Sequence, residues 1–272
     1  MNQPSMPDLE TIFKRIPMLP STRIEDLQVK RLSGFTNHNF HIKGAHADWV
    51  LRIPRAETNQ FIDRAIEAHN SDIAVLMGLA PECIWRDNTG LSLCQTLSNT
   101  RPIKPLDLQN SQIRESLVSK LTRLHQCGAE FGGRVNLEEL LTGFYQLAQK
   151  PQQRLLKSSY HKAKKKIKNL AQEDGVPVPS HNDLVLENIL LDDTKRIWLI
   201  DWEYSSMASP YWDLATLCNA ADFSHKQSAG LLADYQRQHH TLKLEVLIEY
   251  RYIVKTISAC WMAAFNHKDP GA

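Results

Sequence analysis

The sequence predicts an α+β protein, with a small antiparallel-sheet lobe followed by a larger, mainly helical lobe. Three observations predict this. Short strand-like runs separated by glycine turns fill the first third of the chain. A polar stretch with two prolines, Ser98 to Pro105, interrupts that pattern and reads as a connector. Beyond it, apolar residues recur at helical spacing. The 272 residues are enough for two domains or one domain of two lobes. The division falls at residues 1–97 and 98–272.

From the N-terminus, Gln28 to Lys43 holds two apolar stretches broken at Ser33-Gly34, the pattern of a hairpin. Trp49 to Ile53 is a strand-like run stopped by Pro54. A helix is expected from Glu57 to Met77, with Phe61, Ile62, Ala65, Ile66, Ile73 and Leu76 on its apolar face and Gly78 as its stop. Cys83 to Trp85 and Leu91 to Thr96 read as strands around the turn Asn88-Thr89-Gly90. In the second lobe Ile113, Leu117, Leu121 and Leu124 share one helical face, which ends near Gly128. Asn136, three residues before Glu139, opens another helix. Lys162 to Lys168 holds five lysines and reads as a solvated helix face. Ala229 to Phe265 is helical again.

Lysine and arginine exceed aspartate and glutamate by 32 to 30, a net charge of +2, so nothing calls for a nucleic-acid partner. The most apolar run, Leu247 to Phe265, carries Glu249, Arg251 and Lys255, so no membrane span is expected. Met1 to Phe13 lacks the pattern of a signal peptide. The five cysteines are scattered without a CxxC pair, as expected of reduced thiols in the cytoplasm. His38, His41 and His46 lie close together without a cysteine or carboxylate cluster, and read as surface histidines. His239 and His240 are expected to face solvent.

The chemistry concentrates between Val178 and Cys218. Ser180-His181-Asn182-Asp183 leads through Asn188 into one apolar run, and a second run ends at Asp201. The turn Asp192 to Lys195 lets the two runs pair, which brings Asn188 and Asp201 to one end of the hairpin. An amide oxygen and a carboxylate suit Mg²⁺, a hard cation that shares its shell with phosphate oxygens. Asp183 is left to orient an attacking hydroxyl and take its proton, the division of labour that phosphoryl transfer from ATP requires. His-x-Asp-x4-Asn followed by Asp is the spacing of a protein-kinase catalytic loop. Asn182 replaces the kinase arginine, Asp201-Trp202-Glu203 replaces Asp-Phe-Gly, and no Ala-Pro-Glu follows, which disfavours a protein substrate.

This segment resembles the choline/ethanolamine kinase and aminoglycoside phosphotransferase superfamily, and the resemblance extends over nearly the whole chain. The phrase Ile200-Asp201-Trp202-Glu203-Tyr204, with Trp212-Asp213-Leu214-Ala215 after it, is most similar to bacterial choline kinases, with thiamine kinases next. The resemblance implies a protein-kinase-like fold of two lobes and ATP- and Mg²⁺-dependent phosphorylation of a small alcohol. It implies Asp183 as catalytic base, His181 as brace of the catalytic loop, and Asn188 and Asp201 as metal ligands. Leu32 to Phe40 resembles the family's phosphate-covering loop, with Ser33 in place of the first of two glycines. Thr36 and Asn37 would contact phosphate there, Arg52 would balance nucleotide charge, and Glu67, with Glu57 as the alternative, would pair with Arg52.

The acceptor site is implied in the same way. A quaternary ammonium needs aromatic faces. Tyr204 and Trp261 match cage positions, and Glu203 and Trp212 join the candidate substrate contacts, with Tyr211, Tyr250 and Tyr252 as further aromatics. Two positions depart from the family. Its second cage tryptophan is Ala264 here, and an acidic position is Ala220, with Asp222 nearby. Asp213 is expected to anchor the catalytic loop. Choline or ethanolamine is the first acceptor class, thiamine the second and an aminoglycoside the third. A catalytically idle binding module is the reading from another class.

Overall fold

The structure is a computed structural model. It describes residues 7–19, 24–32, 34, 36–44, 47–59, 61–170, 173, 175–237 and 242–265, with the side chains of 24, 47, 57 and 58 excepted. His46, His239, His240, Ser33, Phe35 and the Glu57 side chain lie outside this description. The described residues before 66, with 81–98, form one compact unit, and 66–80 with those from 99 onward form a second.

In the first unit, Asp8 caps α1 (Leu9–Arg15) by accepting the N–H groups of Glu10 and Thr11. Strands β1 (Gln28–Leu32), β2 (Asn37–Gly44) and β3 (Ala47–Pro54) form an antiparallel meander. After α2 (Ala56–Asn59), and after α3 (Arg64–Leu76), which from residue 66 belongs to the second unit, come β4 (Cys83–Arg86) and β5 (Ser92–Gln95), and the sheet order is β1-β2-β3-β5-β4. Alternation sends Phe40, Ile42, Leu51 and Leu93 to one face, where they pack with Phe13, Ile16 and Leu19. Gly90, at φ +86, makes the β4–β5 turn, which the Asp87 carboxylate ties by accepting from Thr89 and Leu91 N–H.

The single helix expected from Glu57 to Met77 is two. The helix is interrupted, and Asp63 starts α3 afresh, its carboxylate accepting the Ala65 N–H at 3.0 Å. Three residues of the expected apolar face are exposed, Phe61 at 44%, Leu76 at 88% and Ala65. Gly78, at φ +65, does end the helix.

The second unit resumes at residue 99, inside the expected connector, which is not free of regular structure. Within Ser98 to Pro105, β6 (Thr100–Pro102) pairs with the later β8 (Ile189–Asp192). Polar side chains and a terminal proline suit an edge strand. Helix α4 (Ser111–His125) buries Ile113, Leu117, Leu121 and Leu124, and Asn136 caps α5 (Leu137–Leu147). Helix α6 (Lys150–Leu170) keeps most of its lysine row exposed while Ala163 and Ile167 face the core. Strands β7 (Val178–Ser180), β8 and β9 (Ile197–Leu199) carry the functional loops, with β10 (Ser206–Ala208) paired to β7. Helices α7 (Pro210–Ala220), α8 (His225–Gln236) and α9 (Leu244–Phe265) complete it, and α9 packs along α5, α6 and α7.

Candidate active site

Between β7 and β8 the chain must turn and also present polar groups. It does so with Asn182 at φ +65, and the chain leaves β9 through Asp201 at the same φ. Asparagine and aspartate tolerate this left-handed geometry better than other side chains. The loop is held from several sides. Asp213 on α7 accepts the N–H of His181 at 2.9 Å and of Asn182 at 2.7 Å. The Trp212 indole donates to the Asn182 carbonyl at 2.8 Å, and the Asn182 amide donates to Tyr204 O and Ser206 Oγ. Trp212, expected among the substrate contacts, is thus buried beneath the loop.

His181 is buried and donates from Nε2 to the Ile200 carbonyl at 2.9 Å, while its Nδ1 accepts the Asp183 N–H at 3.3 Å. One nitrogen donates and the other accepts, which is the neutral ring. Burial accordingly pushes its pKa down. Burial by itself raises the Asp213 pKa, but the hydrogen bond and charge of His125 and the influence of His181 hold it below the usual carboxylate range. His125 Nε2 lies 3.1 Å from Asp213, and its Nδ1 lies 2.8 Å from the Tyr235 hydroxyl.

The Asn188 side chain donates to the Asp183 carboxylate at 2.8 Å and to its carbonyl at 3.0 Å. The Asn188 carbonyl accepts the Ile200 N–H at 3.0 Å, which keeps Asn188 beside the end of β9 where Asp201 follows. Asp183 has its pKa pushed up to about 7, first by burial and then by the charge of Glu203, against the opposing Asn188 hydrogen bond.

Three carboxylates converge beyond this pair. Oxygens of Glu67, Asp201 and Glu203 lie within 4.8 Å of one another, with Glu67 and Glu203 buried. Glu67 reaches them from α3. One turn on, Asn70 locks that helix by accepting the Gly132 N–H at 2.8 Å and donating to Ser205 O at 2.9 Å. Clustered anions at this spacing repel, and a dication relieves the repulsion. The donors are all hard oxygens, which fits Mg²⁺. With its N–H groups spent on Asp183, Asn188 would have its side-chain oxygen for such a cation.

Tyr204 is half-buried and accepts a hydrogen bond from Trp261. Burial, with the charges of Glu203, Asp183 and Asp201, raises the Tyr204 pKa. The Trp261 ring is 5.3 Å from Phe265, itself 6.1 Å from Phe144. Tyr211 and Tyr250 instead stack at 5.3 Å in the core, and Tyr252 lies under Lys162 and Lys166. Asp222 is exposed.

In the first unit, Gly34 leads into Thr36 and Asn37, both buried. A side chain at Gly34 would meet the Asn37 carbonyl at 2.7 Å, so this approach requires glycine. Arg52 sits on β3 between Asn39 and Ser92. His41 pairs with Asp48 at 2.7 Å.

Asn70 and His125 escaped the sequence reading. Their partners lie 135 and 88 residues away, beyond any local pattern.

Comparison with known proteins bears on this arrangement. A family model described as "Phosphotransferase enzyme family" matches residues 28–250. Protein LicA of Haemophilus influenzae is 30% identical over 240 residues, 85% of this chain and 69% of that protein. The solved structure of choline kinase LicA from Streptococcus pneumoniae superposes with a TM-score of 0.84 at 23% identity, covering 98% of this chain and 94% of that one. A structure of LicA in complex with AMP gives 0.82 at 24% identity, with the same coverage. The fold is that of these kinases.

Proposed function

The chain belongs to the phosphotransferase enzyme family, and from that premise we propose that it moves the terminal phosphoryl group of ATP to the hydroxyl of choline. It is a small-molecule kinase. The observation that carries the finer reading is the Asp183–Asn188 pair standing beside the Glu67, Asp201 and Glu203 carboxylates. Choline as the acceptor draws on the relatives that act on it, LicA of Streptococcus pneumoniae among them, and on Tyr204 and Trp261, which offer ring faces to a cation beside acidic groups.

Asp183 orients the acceptor hydroxyl and takes its proton, and Asn188 fixes the carboxylate for that task. Asn188 and Asp201 would hold Mg²⁺, with Glu67 and Glu203 at hand. When bound, the metal neutralises charge on the phosphates. Thr36, Asn37 and Arg52 bind the nucleotide phosphates, Arg52 through its planar fork. His181 keeps the loop in register without exchanging a proton.

The test is ATP consumption by the purified protein with Mg²⁺ against choline, ethanolamine, thiamine and an aminoglycoside. Choline is expected to respond most strongly. A single strong response from thiamine would move the acceptor to that class. ATP binding with silence across the panel would favour an idle binding module.

A further inference from the structure

We propose that Cys83 and Cys94 form a thiol–disulfide exchange site that closes into a cross-strand disulfide on meeting a small-molecule disulfide. The two residues are direct partners in the antiparallel β4–β5 ladder. Gln95 N–H donates to Glu82 O at 2.9 Å, so the neighbouring 82/95 pair is a hydrogen-bonded one. The 83/94 pair is therefore of the non-hydrogen-bonded kind, in which Cα atoms stand ~4.5 Å apart and side chains come closest. That separation falls inside the ~4.4–6.8 Å range over which a disulfide can form. The thiols already hydrogen-bond to each other, and Cys83 Sγ also donates to Trp85 O at 3.4 Å.

The pair is reachable. Both cysteines are partly exposed, whereas Cys218 and Cys260 are buried. The core face of the sheet takes Leu51, Leu93 and Trp85. Alternation turns Cys94, with Val50 and Arg52 of the adjoining strand, to the opposite face. The hydrogen bond to Cys83 and burial hold the Cys94 thiol well above its usual range, which makes Cys83 the first attacker.

Cys83 thiolate attacks one sulfur of the oxidant, forming a mixed disulfide and releasing the other half as thiolate. Cys94 loses its proton to that thiolate, with Arg52 nearby to favour the anion. It then attacks the Cys83 sulfur and expels the second thiolate. Two electrons pass from the cysteine pair to the oxidant, which leaves as two thiols.

The experiment treats the full chain with oxidised glutathione, blocks remaining thiols with an alkylating reagent and maps peptides without reduction. A peptide joining 83 to 94, the loss of two of the five thiols and their return with dithiothreitol are expected. Cys94→Ser should stop at a glutathione adduct on Cys83. Separate adducts or separate alkyl labels on Cys83 and Cys94 in the unsubstituted chain would overturn the proposal. So would an unmodified Cys83 in the variant. Both outcomes concern β4 and β5 alone and are independent of the acceptor.

Discussion

The Asn188 side chain donates to the Asp183 carboxylate at 2.8 Å, and the same residue's main chain is tied to Ile200, one residue before Asp201. One asparagine therefore sets the positions of the proposed base and of the proposed metal ligand together. Asp183→Asn keeps the shape of the site and removes the acceptor of the proton. Turnover is expected to fall by about 10²–10⁴-fold, with the KM for ATP changed only a few-fold. Near-normal turnover in steady-state assays would remove Asp183 from the base role.

The Glu67, Asp201 and Glu203 cluster predicts opposite responses with and without metal. Asp201→Asn removes one of three mutually repelling charges, so without Mg²⁺ its melting temperature should equal or exceed that of the unsubstituted chain. Added Mg²⁺ should raise the melting temperature of the unsubstituted chain by mass action and leave the variant nearly unmoved. Equal Mg²⁺ shifts for both would exclude Asp201 as a ligand.

Asp213 serves two loop N–H groups and His125 while fully enclosed. Asp213→Ala strands those donors, and a loss of about 3–5 kcal/mol is expected in urea unfolding. Its folded pKa is lowered. The stabilisation is therefore present above the ordinary carboxylate pKa and is lost as pH falls below it.

His181 gives a second pH signature at milder acidity. Its folded pKa is lowered by burial, so below the ordinary value of 6.5 the unfolded chain binds a proton that the folded one refuses. Stability falls with pH in that window, by at most ~1.4 kcal/mol per pH unit for this group. Urea midpoints at pH 7.5 and 5.5 should differ less in His181→Gln than in the unsubstituted chain. An unchanged difference would mean that the ring does not stay neutral.

Trp261→Ala removes a ring face and the hydrogen bond to Tyr204. The KM for choline is expected to rise about 2–30-fold, the range that a lost cation–π contact supplies, with the KM for ATP unaffected. A change confined to ATP would place Trp261 outside the acceptor site.

Much of this was legible in the residues, because the informative contacts are local. The Asn188-to-Asp201 hairpin follows from two apolar runs and a turn, and the Asn88-Thr89-Gly90 turn from its residue types. Glu67 illustrates the limit. Its place on a helix was readable, but the oxygens it meets belong to residues 201 and 203, brought there by Asn70 gripping Ser205. The break before Arg64 hid behind continuous apolar periodicity, which Asp63 overrides by capping. Strand β6 was hidden because its partner, β8, lies about ninety residues on, and nothing in Thr100 to Pro102 announces it.

The Asp213 clamp also orders events in time. During synthesis the β8–β9 hairpin can close as soon as its own residues are available, because its ladder is internal. The turn at His181 and Asn182 cannot settle then, since the carboxylate that receives its N–H groups arrives 32 and 31 residues later. A growing chain halted before α7 thus carries every residue of the phosphoryl-transfer motif and no finished loop. The loop is finished only when α7 docks.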